Sequence, residues 1–370
     1  MTHKNLLRGA AVGAAFALSA TIAGADSISP TTYSNDSLGV GDSVTISKTV
    51  VIEAGGPSDA LIDVMFIFDT TGSMGAALAT AQTAAADILT GISGFGDLAS
   101  GVGFYNDPAF DGVLQDLSTN DATTIGNFSF GASGGGDFPE KGNSAIEDAA
   151  NNASWRPGSN RFIVALGDSS FLDIPPGGPT DEDVQTALAD NDVELIGLRF
   201  QNFDFGSSRS NDDNFIESIE SLGGTALSGS TDPDDLVEII TDGISGSFDT
   251  YTEVTVDDLD AGLPEIDVSV VCTGADSGVC DGATAIGDYD RTSDRTFTFD
   301  VTFTRVADGD TTFTTNALVD GGIVAREIDT FTGGGSGGGG GTPVIPLPAG
   351  VWLLLGGLGT LGAMRRRKTA

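Results

Sequence analysis

Between residues 59 and 248 the chain alternates short apolar runs with longer stretches of helical periodicity. Leu61–Phe68 (LIDVMFIF) is almost continuously hydrophobic, as a strand covered on both faces must be. Ser73–Ile92 is Ala-rich and predicts the helix that follows it. The succession continues with strand Gly101–Tyr105, helix Glu140–Ala153, strand Arg161–Leu166 (RFIVAL), a helix near Glu182–Ala189 and strand Val193–Phe200. Helix Asp212–Leu222, short strand Thr225–Leu227 and helix Pro233–Ile244 complete it. Strands and helices in this order predict a doubly wound, Rossmann-like α/β domain. The flanks read differently. Residues 40–53 (VGDSVTISKTVVIE) and Tyr251–Phe331 alternate apolar and polar positions and are rich in Val and Thr, the pattern of half-buried strands. The N-terminal β segment, 26–58, is too short to cover its own apolar face. It is therefore expected to join the strands of 249–332 in one all-β sandwich, with the α/β domain inserted into it.

The two ends do not belong to this pattern. Residues 1–25 carry Lys4 and Arg8, then the apolar stretch AAVGAAFALSATIAG, then Ala23-Gly24-Ala25. These are the three parts of a secretory signal, with cleavage expected before Asp26. Residues 333–343 form a Gly-rich linker. Residues 344–370 hold a Pro-rich entry, an apolar helix candidate (Gly350–Met364) and the basic cluster Arg365-Arg366-Arg367-Lys368. That helix alone is short for a hydrocarbon core of about 30 Å, and Val344–Ala349 extends it to a possible span. The basic cluster would hold its end in the cytoplasm and leave the main body outside.

Charge narrows the partners. The chain has 53 acidic and 16 basic residues, a formal net charge of -37, and six of the basic residues lie in the two end segments. Such a surface repels nucleic acid and attracts cations and basic partners. The single histidine is His3, inside the signal, so the mature chain has no imidazole for a catalytic triad or a zinc site. Cys272 and Cys280 (VCTGADSGVC) are the only cysteines. In an exported chain they are expected to close a short disulfide loop, worth about 2–3 kcal/mol in the chain-entropy model.

The chemistry concentrates at strand ends, where doubly wound sheets bind ligands. After IDVMFIF comes Asp69-Thr70-Thr71-Gly72-Ser73-Met74, one carboxylate and two hydroxyls at alternate positions on a turn. Oxygen ligands in this number suit Mg²⁺, Mn²⁺ or Ca²⁺. The same residues also suit a plain turn, with Asp69 capping the helix that follows. Strand RFIVALG ends in Asp168-Ser169-Ser170, and a Gly-rich bend brings Asp137-Phe138-Pro139-Glu140 to the start of a helix.

Over about residues 60–248 the chain resembles the von Willebrand factor A family, with Asp69, Thr71 and Ser73 in its metal-ion-dependent adhesion motif and Asp168 in its later aspartate position. The Asp-Phe-Pro-Glu segment is similar to the integrin β-subunit version, which implies Glu140 as a further ligand. The same subgroup implies a second, calcium-type site from Asp107, Asp137, Pro139 and Glu140. Here the sequence departs, since Gly135 stands where that subgroup has asparagine. A third site lacks its acids, because Met74 is followed by Gly-Ala-Ala. The tail, with Ile345 before Pro346, Leu347, Pro348 and Ala349, resembles VPLPA-type C-terminal sorting signals. That resemblance implies processing by an exosortase-family enzyme and delivery to the surface or extracellular matrix of a Gram-negative bacterium. A plain membrane anchor is the alternative.

These readings converge on a non-enzymatic, exported protein that binds an extracellular protein or matrix ligand in a divalent-cation-dependent way, through an acidic group of the partner. The alternatives are a structural surface-layer protein in which calcium only stiffens the fold, and a carboxylate-based hydrolase. The hydrolase has little to build on: Trp155 is the only tryptophan of the mature body, and no acidic pair stands apart from the cation pattern. Trp155 and Arg156 are a further candidate binding pair, set against an ordinary surface loop.

Overall fold

The computed structural model describes residues 25–107, 110–135, 139–171, 178–200 and 214–333. Nearly all of residues 1–25, expected as a signal, the Gly-rich stretch beyond residue 333, the tail expected as a sorting signal, and Asp137 lie outside them. Among the described residues no helix is long and apolar enough to cross a membrane.

Three strands open the chain: β1 (Ser27–Ser29), β2 (Thr32–Asn35) and β3 (Ser43–Ile52). The α/β domain follows with β4 (Ala60–Asp69), a 3₁₀ turn at Gly72–Met74, α1 (Gly75–Ser93), β5 (Gly96–Tyr105), β6 (Phe110–Ser118), α2 (Asp121–Asn127) and α3 (Gly142–Asn152). It continues through β7 (Asn160–Gly167), α4 (Asp181–Asp190), β8 (Val193–Arg199), α5 (Phe215–Ser221), β9 (Thr225–Ser228) and α6 (Pro233–Gly246). Seven strands close the described chain: β10 (Thr250–Asp257), β11 (Ile266–Ala275), β12 (Val279–Asp281), β13 (Thr284–Asp290), β14 (Arg295–Arg305), β15 (Thr311–Val319) and β16 (Gly322–Phe331).

The central sheet runs β6-β5-β4-β7-β8-β9, parallel except for the edge strand β6. Every residue of β4 is buried, because both of its faces are covered. Period-two alternation sorts them. Ile62, Val64, Phe66 and Phe68 pack against α1 and α6 in one core. Met65 and Ile67 pack against α3, α4 and α5 in another. Helix starts follow local chemistry: Thr180 and Asp183 form a capping box on α4, and Asp232 caps α6 just before a proline. From β4 the chain moves by way of α1 to β5 on one side, then returns to place β7 on the other. The reversal opens a crevice at the carboxyl ends of β4 and β7, the switch point where such sheets bind ligands.

The remaining strands form two sheets, β1-β3-β14-β11 and β12-β13-β10-β15-β16-β2, packed around a shared aromatic core. The N-terminal segment contributes to both. β3 pairs with β14 along its whole length, whereas β2 lies parallel to β16. The doubly wound domain is thus entered from β3 and left into β10, inside a β sandwich, as its patterning implies. The junction is tied by a small cluster of Leu61, Leu318 and Ile323, and by the Ile323 amide donating to the Gly158 carbonyl at 2.8 Å.

Three details differ from the reading of the sequence. β6 and α2 were not expected; FDGVLQDLS is an edge strand whose interrupted pattern reflects one open side. The first helix is preceded by a separate 3₁₀ turn. α3 begins at Gly142, so Glu140 stands free of it and bridges the backbone of Phe171 instead.

Candidate metal centre

Asp69 ends β4, Asp168 follows β7, and Glu140 is carried between them by the segment before α3. The Glu140 amide donates to the Ser170 carbonyl at 2.8 Å, which fixes that segment to the loop after β7. One carboxylate oxygen from each of Asp69, Glu140 and Asp168 lies within 4.8 Å of the others. All three are buried, at 0%, 1% and 6% exposure, so solvent cannot screen their repulsion. No salt bridge among the described residues reaches any of them. Asp69 Oδ2, Glu140 Oε2 and both oxygens of Asp168 receive no well-formed hydrogen bond from a backbone amide or a cationic side chain among the described residues; what they face is one another and the Thr71 and Ser73 hydroxyls.

The electrostatic consequence is retained protons. Burial, then a shared hydrogen bond with Asp69 and the charges of Asp69 and Asp168, push Glu140 up to about 10. Burial and the charge of Asp69 push Asp168 up to about 7, against the pull of the Ser73 hydroxyl. Burial also raises Asp69, although Glu140 and Thr71 donate hydrogen bonds to it. Uncompensated buried charge is costly, so a cluster of this kind holds either protons or a cation.

The surrounding loops hold these oxygens in place. Asp69 Oδ1 accepts the Thr71 amide at 2.8 Å rather than capping the first helix. The hydroxyls of Thr71 and Ser73 lie 3.3 Å apart, facing Glu140 and Asp168. Asn106 donates through Nδ2 to the carbonyls of Thr70 and Ser133, at 2.9 and 2.6 Å. Gly72 and Gly134 close the contact with a backbone hydrogen bond of 3.1 Å. Gly134 and Gly135 both adopt positive φ, and a Cβ at Gly135 would meet Thr71 at 2.9 Å. The glycine where an asparagine was looked for is therefore required by the approach of the Thr71 loop.

Five sequence candidates, Asp69, Thr71, Ser73, Glu140 and Asp168, come together here. Asp107 is buried two residues beyond β5, and its carbonyl accepts the Gly135 amide at 3.1 Å. Pro139 is half-buried, while Asp137 lies outside the described residues. Arg156 is elsewhere. It pairs with the buried Asp63 at 2.6 Å and donates to the carbonyls of Ile62 and Asp97, clamping the opposite ends of the strands. Trp155 donates to the Ala150 carbonyl. Both are structural.

Two residues of the site escaped the sequence reading. Tyr105 ends β5 fully buried, its hydroxyl unpartnered, and burial with the charges of Asp69, Glu140 and Asp168 raises it well above its ordinary value. Asn106 ties the loops together. An aromatic at a strand end reads as core and an asparagine after it as a turn, so neither signals a site.

The donor set fits a hard divalent cation: three carboxylates, two hydroxyls, no sulfur or imidazole, and orphaned oxygens directed at one another. No protein-family model matches the sequence, and no curated protein matches it. Solved structures do resemble it. A von Willebrand factor type A protein from Catenulispora acidiphila is 13% identical at a TM-score of 0.38, covering 84% of this chain and 75% of that one. A conserved hypothetical protein, BatB from Bacteroides thetaiotaomicron, is 14% identical at 0.37, over 50% of this chain and 98% of its own. An aerotolerance-related membrane protein from Bacteroides fragilis is 14% identical at 0.36, over 50% and 99%. Superpositions this loose transfer no residue or role, and what the cluster does is argued from its own geometry.

Proposed function

We propose that this chain is an exported surface or matrix protein that binds a protein ligand through a divalent cation held by Asp69, Glu140 and Asp168, with Thr71 and Ser73. The observation carrying this reading is the orphaned, buried acidic cluster at the switch point of the sheet. Structural acids in a core are ordinarily paired with a cationic side chain, as Asp63 is with Arg156. Here the cationic partner is absent from the described ion pairs, so the cation is expected from solution. Asp69, Glu140 and Asp168 with Thr71 and Ser73 would hold the ion, and the ion would supply the positive charge that draws an acidic group of a partner, the role implied by the family resemblance of the motif. The chain's own part is to hold five oxygens in place, through the Asn106 and Thr71 contacts, and to bury the three carboxylates from solvent.

Binding rather than catalysis is the reading favoured by the side-chain inventory. No histidine follows His3, and the three acids of the cluster are engaged with one another rather than spaced across a substrate cleft. The closed disulfide between Cys272 and Cys280 fits an exported chain, as does the signal-like start. The test is a pull-down from surface extract of the native host with the full chain, in Mg²⁺ or Ca²⁺ against EDTA. Capture of a partner in metal only, lost in Asp69→Ala, supports the proposal. Equal capture under both conditions overturns it.

A further inference from the structure

The sandwich contains a second buried charged cluster, independent of the cation site. Along β3 the inward positions are Val44, Ile46, Lys48, Val50 and Ile52, so a lysine occupies a place where alternation calls for a hydrophobe. Along β16 the pattern is inverted: Ile328 is exposed, while Glu327 and Asp329 point inward. Lys48, Glu327 and Asp329 are all fully buried. Lys48 Nζ is in contact with Glu327 Oε2, lies 3.5 Å from Asp329 Oδ1, and sits 5.0 Å from the centroid of the Phe303 ring. Thr315 donates its hydroxyl to Asp329. Glu327 Oε1 has no partner.

We propose that Lys48 and Glu327 condense to an intramolecular amide, with Asp329 as the proton acceptor. Two acids against one lysine leave one carboxyl to keep a proton. Burial, opposed by Lys48 and reinforced by Asp329, pushes Glu327 up to about 7, and Asp329 receives a hydrogen bond from it. Glu327 is thus the carboxylic acid, the form a nucleophile can attack, and Asp329 the carboxylate. The Lys48 ammonium gives one proton to Asp329. The freed amine attacks the Glu327 carbonyl carbon, a C–N bond forms, and the C–OH bond breaks. The hydroxyl leaves with a proton from nitrogen as one water molecule, and Asp329 ends protonated. No oxidant or co-reactant is needed. Holding the amine and acid in contact supplies the effective concentration that free condensation lacks, on the order of 10⁵ M or more in well-aligned cases. Complete burial, with the Phe303 ring beside Lys48 and Tyr33 and Phe331 packed on Phe303, keeps out the water that would reverse it.

Its placement gives the bond a purpose. Lys48 precedes the inserted α/β domain and Glu327 follows it, on different sheets. An amide there would join both flanks of the insertion and both sheets covalently. Tension between a bound partner and the C-terminal end would then be carried by that link as well as by strand hydrogen bonds.

Mass spectrometry of the purified full-length chain decides the matter. After disulfide reduction, the wild type should weigh one water less than its sequence and termini require. Digestion should yield a branched peptide joining the Lys48 and Glu327 segments. Lys48→Met should show no deficit, and Asp329→Asn should form the link roughly 100-fold more slowly. A wild-type chain of full mass overturns the proposal, as does a deficit that persists in Lys48→Met. A branch mapped to Asp329 overturns the assignment of the acceptor.

Discussion

The molecule buries two acidic clusters, and they solve the same electrostatic problem in opposite ways. In the sandwich, Glu327 and Asp329 have Lys48 between them. At the switch point of the α/β domain, Asp69, Glu140 and Asp168 have no cationic side chain among the described ion pairs. The first cluster is completed by the chain itself; the second is complete only with something from solution, protons or a metal ion. Burial is similar in both, so what separates a cluster the chain completes itself from a candidate binding site is the missing countercharge.

The comparison breaks most sharply on the removal of Lys48. Lys48→Met leaves two buried acids without a countercharge and cannot form the proposed link, so it should destabilise the protein by at least about 3–5 kcal/mol. Chemical denaturation of the wild type and variant measures it; a loss below about 1 kcal/mol would mean the sandwich pair matters little. The Asp69, Glu140 and Asp168 cluster should respond to metal instead. At 100 times its dissociation constant, a bound cation adds about 2.7 kcal/mol to folding by mass action. Thermal melting should show this gain in the wild type and its disappearance in Asp69→Ala, with Lys48→Met keeping it.

A further effect follows from pH. Glu140 rises from 4.5 to about 10 and Asp168 from 3.8 to about 7, so the metal-free fold binds protons that the unfolded chain has released. Stability from these groups is present below the unfolded values and is lost as pH rises toward the folded ones. At about 1.4 kcal/mol per proton and pH unit, the metal-free protein should therefore lose several kcal/mol between pH 5 and 8. Saturating cation should flatten the profile, because the metal displaces those protons and its affinity rises with pH. A metal-free stability that climbs over this range would contradict the assignment. Smallest of all, Asp107→Asn should leave most of the cation-dependent gain intact. If it removes the gain as fully as Asp69→Ala does, Asp107 belongs to the same centre.

Much of this was legible in the chain because the physics involved is local. A ten-residue strand buried on both faces must read as a hydrophobic run, and LIDVMFIF does. The turn after such a strand sits at the ligand-binding edge of the sheet, so Asp69, Thr71 and Ser73 stand out by position and oxygen chemistry, with the family resemblance separating a cation motif from a plain turn. The Cys272–Cys280 bond follows from spacing and was expected; its Cα atoms are 5.4 Å apart. Other features depend on long-range register, which alternation does not reveal. Lys48 and Glu327 lie on strands that never pair with each other and meet only across the two sheets. Asp63, hidden in an apolar run, becomes intelligible only once Arg156 is brought to it from 93 positions away. Tyr105 shows no charge or hydroxyl spacing in sequence, and its place beside three carboxylates is set by the register of β4 with β5.

The central claim is that the Asp69, Glu140 and Asp168 cluster holds a divalent cation, and equilibrium titration of the purified, EDTA-stripped chain tests it most directly. Calorimetry with Mg²⁺, Mn²⁺ and Ca²⁺ should show saturable, roughly one-to-one binding of at least one ion, with proton release that grows in acidic buffer as the ion displaces the protons of Glu140 and Asp168. Asp69→Ala should abolish that binding while keeping the wild-type circular dichroism. Wild type and Asp69→Ala giving the same isotherm for every ion would contradict the account.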